Sequence, residues 1–178
     1  MMGKLAGVPF LPLMTIYDFF IKRALDQLYY NLYWGSSFIL VGTPSGVTLS
    51  PEGAQHSWKS DLQMPNLITW EPFFAREMEW ILADSIRRHL EDDHEDRSGV
   101  LVRGVTMGVE QRELRRRLRT QSIHQGEDGE PLPDHEILPE LRTNVLAGGY
   151  WLINQEGEDG YTPGENVVRI LAMGAPVA

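Results

Sequence analysis

A chain of 178 residues, 42% hydrophobic and 23% charged, has the size and composition of one soluble globular domain with a sizeable core. Its formal net charge of −9 argues against a general binder of nucleic acid or of anionic membrane, so neither partner is expected. It contains no cysteine, which excludes disulfides and cysteine-held metals and fits a cytoplasmic location, and no apolar run reaches the roughly twenty residues of a membrane span.

The chain opens with Val8-Pro9-Phe10-Leu11-Pro12-Leu13, an apolar segment broken by prolines and too short for a convincing signal peptide. Residues 18–34 predict a helix, because Phe20, Ala24, Leu25, Leu28 and Leu32 recur near the helical period. Asp18 or Thr15 is available to cap its start, and Gly35 ends it. Phe38-Ile39-Leu40-Val41 reads as a buried strand, and the Gly- and Pro-rich stretch 42–56 as a loop at its C-terminal end. Residues 66–70 predict a second strand. Pro72 then opens a helix running to about Leu90. Acids fill a loop over 91–96, and residues 100–105 predict a third strand. A polar helix follows over 111–121, then an exposed loop over 125–139. Segments 145–153 and 161–171 read as strand-like, around a turn at 156–160.

Helices alternating with strands that are apolar throughout imply an α/β fold: a mostly parallel sheet covered by helices on both faces, with a C-terminal strand-rich tail. Both ends read as cut, as in an excised part of a longer polypeptide or a split subunit.

Several side chains are candidates for chemistry. Glu52 and His56 stand four apart in the loop after the first predicted strand, the end of an open α/β sheet where ligands bind. A carboxylate beside an imidazole tunes and orients it, and such a pair can bind a substrate carboxylate or carbonyl, or pass a proton. The bland alternative is a loop acid and a loop histidine that satisfy a turn. Tyr17 and Phe20 share a helix face, where a ring can stack on a flat ligand or simply pack in the core. Arg23 falls on the same face and could meet a phosphate, a partner chain, Asp26 or Asp18.

Three other features read as bland. His89, Asp92, Asp93, His94 and Asp96 match no common metal spacing, so no metal site is expected in this chain. Arg112, Arg115, Arg116, Arg117 and Arg119 suit a helix face paired with acids, or an interface. Gly42-Thr43-Pro44-Ser45-Gly46 lacks the Lys and Ser/Thr of a phosphate loop.

Taken in order, the strand, G-T-x-S-G, E-G-x-Q-H and then Met64-Pro65-Asn66 resemble the pyrimidine-binding domain of transketolase-type thiamine diphosphate enzymes. Residues 17–27 are similar to the helix of that domain that carries the cofactor-stacking aromatic. The form G-T-P-S-G-V-T-L-S-P-E-G is most like the homodimeric pyruvate dehydrogenase decarboxylase component and related 2-oxo acid decarboxylases. The resemblance weakens between residues 120 and 138.

It implies thiamine diphosphate as cofactor, with Phe20 at the ring-stacking position and Tyr17 and Arg23 beside it. Glu52 and His56 would be the catalytic pair lining the cleft. It implies a pyrimidine-binding-like domain over 1–143, N-terminally incomplete, and a linker with the first strand of a following domain over 144–178. The family's glutamate that activates the aminopyrimidine ring lies upstream of the aromatic helix, and no acid precedes Asp18 here. The Gly-Asp-Gly motif for diphosphate and magnesium belongs to another domain. The expected partners are therefore the remaining domains or subunit of the same enzyme and a second copy in a homo-oligomer. The alternative function is a non-catalytic α/β interaction or regulatory module that kept the fold and lost the site.

Overall fold

The structure is a computed structural model that describes residues 7–8, 10–43, 64–91, 99–156, 159–162 and 164–174. It divides into two compact units, Met1–Gly108 with Met173–Ala178, and Val109–Ala172.

Among the described residues, the first unit is built on four strands: β1 (Leu13–Tyr17), β2 (Ile39–Thr43), β3 (Leu67–Trp70) and β4 (Gly99–Arg103). All pair in parallel, in the order β1-β2-β4-β3, so the expected parallel α/β sheet is present. Register sets Tyr17 against Thr43, Gly42 against Arg103 and Trp70 against Val102. Because side chains alternate along a strand, Leu40, Gly42, Leu101 and Arg103 share one face. There Leu40 and Leu101 pack with Ile21, Leu28, Leu32 and Met64 to form the main core cluster. Ile21 belongs to α1 (Asp18–Ile21), Leu28 and Leu32 to α2 (Leu25–Tyr33), and the 3-10 turn Lys22–Ala24 joins the two helices. The 16-residue helix α3 (Ala75–Leu90) reaches the opposite face: a Cβ on Gly104 would meet Thr43 Cγ2 at 3.5 Å and Met78 Cε at 3.7 Å.

Several expectations change. Strand β1 lies where the reading from sequence had only an apolar opening segment. It is an edge strand whose side chains are half exposed on both faces, so neither alternation nor a continuous buried run marks it. The single helix over 18–34 is broken by the 3-10 turn. Tyr17 occupies the N-cap position without a side-chain cap, and Asp18 caps nothing. Gly35 does end the helical segment, at φ 62°. Pro72 precedes α3 by three residues instead of opening it. The start is set by Glu77, whose buried carboxylate accepts hydrogen bonds from the Phe73 and Phe74 N–H groups at 2.6 and 3.1 Å. Asn66, at φ 61°, makes the left-handed turn into β3, a conformation asparagine tolerates better than most residues.

The second unit holds α4 (Arg112–Arg119), the 3-10 turn Ser122–His124 and α5 (Asp134–Ala147). Helix α5 overturns two expectations, the loop as far as residue 139 and the strand from 145. Its signals are ordinary: Asp134 and Glu136 in the first turn suit the helix dipole, Ile137, Leu141 and Val145 recur every fourth residue and are buried, and Gly148 terminates it at φ 111°. Pro133 and Pro139 mask them in sequence. The strand-rich tail is also corrected: the described residues after Ala147 form no strand. Val168, Ile170 and Leu171 are 84%, 80% and 93% exposed, and a strand needs a neighbour to complete its ladder.

Candidate functional site

Tyr17 is the last residue of β1 and Phe20 lies one turn into α1, so both stand at the C-terminal edge of the parallel sheet, where open α/β folds bind ligands. Their rings meet edge to face, with centroids 5.7 Å apart and planes at 68°. Arg23 Cζ lies 5.1 Å from the Phe20 ring centroid. The 3-10 turn explains that contact, because at three residues per turn positions i and i+3 eclipse. The structure thus brings together all three residues expected to face the cofactor. Tyr17 and Phe20 are 36% and 43% exposed, which leaves surface for a ligand and argues against simple core packing.

Glu52 and His56 lie outside the described residues. The segment that carries them departs from Thr43, the β2 residue paired with Tyr17.

Beneath the aromatic group lies a charged cluster that the sequence did not reveal. Arg103, the last residue of β4, is 2% exposed. Its Nε donates to Asp18 Oδ1 at 2.6 Å, and its Nη1 stands 3.8 Å from Oε1 of the buried Glu71. Asp18 can reach Arg103 because Gly42, between them on β2, has no side chain: a Cβ there would lie 3.0 Å from Asp18 Oδ1 and 3.1 Å from Ile21 Cδ1. The only sequence signal was an arginine ending an otherwise apolar strand.

Of the remaining candidates, His89 and four of the arginines have structural partners. His89 is buried and held at both ring nitrogens, Nδ1 by Ser37 Oγ at 2.8 Å and Nε2 by the Phe10 carbonyl at 2.9 Å. The neighbouring Asp92, Asp93, His94 and Asp96 lie outside the described residues, among which no cluster could hold a metal. On α4, Arg116 and Arg117 pair with Glu113, while Arg115 and Arg119 pair with Asp134. The Arg116 hydrogen bond holds the Glu113 carboxyl below its ordinary range. A cavity of about 490 Å³ in the second unit is lined by Asn154, Asp159, Tyr161 and Asn166 among others. The Asn166 amide is committed there, accepting from Thr162 N–H at 2.9 Å and donating to the Gly160 carbonyl at 2.6 Å. No helix among the described residues is long and apolar enough to cross a membrane.

No family model matches the chain. Over 90 residues, 45% of this chain, it is 30% identical to a protein described as pyruvate dehydrogenase E1 component, from Buchnera aphidicola subsp. Schizaphis graminum (strain Sg). The aligned stretch covers 10% of that protein, a weak and partial likeness to an enzyme component.

Proposed function

We propose that the chain supplies the pyrimidine-facing side of a thiamine diphosphate site in a 2-oxo acid decarboxylase or dehydrogenase of the pyruvate dehydrogenase type, and that it is inactive alone. The observation that carries this reading is the exposed Tyr17–Phe20–Arg23 group at the C-terminal edge of the sheet. The partial likeness to a pyruvate dehydrogenase E1 component supports it. The residues fit a flat aminopyrimidine: it can take the place of the Arg23 guanidinium, itself flat and carried on an exposed side chain, over the Phe20 ring. Thiamine diphosphate, when bound, supplies the electron sink for cleavage beside a 2-oxo group.

This chain's own residues bind and orient. Phe20 stacks the pyrimidine, Tyr17 fixes the ring plane of Phe20 from its edge, and Arg23 flanks the ligand. Glu52 and His56 contact the substrate, with the imidazole oriented by the acid. Magnesium, the diphosphate and the activating glutamate are held by another domain or subunit of the same enzyme, and a second copy of the chain completes a homo-oligomer.

The test is a titration of thiamine, at millimolar concentration, into the chain followed by aromatic NMR. Saturating shifts at the Tyr17 and Phe20 rings, absent in Phe20→Ala, are expected. Rings that do not respond would defeat the reading and favour a non-catalytic interaction module.

A further inference from the structure

We infer that Arg103 is a positioning residue: through Asp18 it fixes the turn between β1 and α1, and so sets the direction of the Tyr17, Phe20 and Arg23 side chains. The inference rests on the pyrimidine-facing reading and adds to it a residue that touches no ligand.

Arg103 is almost wholly buried, and its guanidinium faces two buried carboxylates, Asp18 and Glu71. Burying charges is costly, and apolar side chains of similar volume are often at least as stabilising as a buried ion pair. What an ion pair adds is direction. A short N–H···O⁻ contact fixes an angle and a distance, whereas apolar contact is non-directional.

Asp18 is well placed to use that direction. It is the first residue of α1, and its carboxylate binds Arg103 Nε instead of capping the helix. Tyr17 immediately precedes it, and Phe20 follows two residues later. The sheet gives way to the helix here through one tethered residue, with an exposed ring on each side of it. Gly42 supplies the clearance that lets the tether close. Among the described residues, Asp18 and Glu71 are carboxylates that face the Arg103 guanidinium.

The test uses Arg103→Lys, which keeps a cation between the two acids but loses the Nε–H and the planar fork. In the full chain, Leu40 and Leu101 methyl resonances report the core, and Tyr17–Phe20 ring-to-ring NOEs report the site. The expected result is a preserved core, lost or altered ring NOEs, and a thiamine midpoint weakened about tenfold, since small misplacements of binding groups carry large effects. Unchanged NOEs with an unchanged midpoint would overturn the inference, even if thermal stability falls, because a merely structural role lowers stability without moving the rings. If Arg103→Lys does not fold, the neutral triple variant Asp18→Asn/Glu71→Gln/Arg103→Met asks the same question. Failure of both variants to fold also overturns a positioning role. Should wild type show no response to thiamine, the pyrimidine-facing reading falls, and the ring NOEs alone still decide the role of Arg103.

Discussion

Gly42 and Asp18 approach so closely that a Cβ on the glycine would stand 3.0 Å from the carboxylate oxygen Oδ1. Ile21 Cδ1 would lie at 3.1 Å, so the first turn of α1 is seated directly on the backbone of β2. Alanine at 42 must push that turn away. Gly42→Ala is expected to cost about 1–3 kcal/mol, as overpacking of a well-filled site does. Gly108→Ala, where an added Cβ meets nothing within 4 Å, is expected to be close to neutral. Thermal unfolding of the two variants checks this. Equal melting temperatures would show that α1 has room to shift.

The parts of the fold that were legible are those whose signals are local. Leu40 and Leu101 sit in apolar runs, and Ile81 repeats at helical spacing, so β2, β4 and α3 read directly from sequence. Strand β1 did not, because Leu13 and Met14, on opposite faces of an edge, are 60% and 53% exposed. Three-residue spacing on one helix face suggested the grouping of Tyr17, Phe20 and Arg23, but Tyr17 ends strand β1 and joins Phe20 across the strand-to-helix turn. The cluster below it was not, since Arg103 and Asp18 are 85 residues apart and only the sheet register brings them together.

Asp84 gives a pH dependence. Burial pushes its carboxyl up, but hydrogen bonds from Arg88 and Arg87, with their charges, outweigh it and hold the pKa below the ordinary 3.8. A depressed carboxylate contributes stability that is present above its unfolded pKa and is lost as pH falls through its folded pKa. Asp84→Asn is therefore expected to lower stability at pH 7 by about 1 kcal/mol, or roughly 2–4 °C, a modest figure because both arginines are partly exposed and screened. The gap should close as pH falls below 3.8, where wild type also loses the charge. Melting curves from pH 7 downward test the sign. A gap that widens in acid would contradict it.

Among the described residues, edge strand β1 is paired on one side only, and Phe10, Leu13 and Met14 near it are all more than half exposed. An apolar edge of this kind invites pairing with another chain. The chain is expected to self-associate, with a weight-average mass in sedimentation that rises with concentration. Met14→Lys places a charge on the edge and should shift the distribution towards monomer. A monomeric wild type across a wide concentration range would remove this expectation.

The chain with thiamine diphosphate and magnesium is expected to show no pyruvate decarboxylation and no saturable heat at micromolar cofactor. Stacking against Phe20 adds about 1 kcal/mol to the burial of the ring, enough for the roughly 4 kcal/mol of millimolar binding but short of the roughly 8 kcal/mol that micromolar binding requires. Calorimetry and a coupled carbon dioxide assay measure the two quantities. Robust turnover by the pure chain would show that the activating glutamate and the diphosphate site are not needed from elsewhere.

The final expectation concerns His56. The segment that carries it follows Thr43 in sequence, and Thr43 pairs with Tyr17. When the chain is assembled with the segment that supplies the diphosphate motif, His56→Ala should lower turnover by about 100-fold or more, because orienting a charged substrate is worth several kcal/mol. The same change should move the melting temperature little, since a histidine in a loop, as the sequence predicts for His56, contributes little to folding. Glu52→Gln should reduce turnover less and displace the pH profile, because the acid acts on the reaction through the imidazole. The separation of the two readouts is what identifies a functional residue. Parallel losses of turnover and stability in His56→Ala would assign it to folding, and unchanged turnover would remove it from the site.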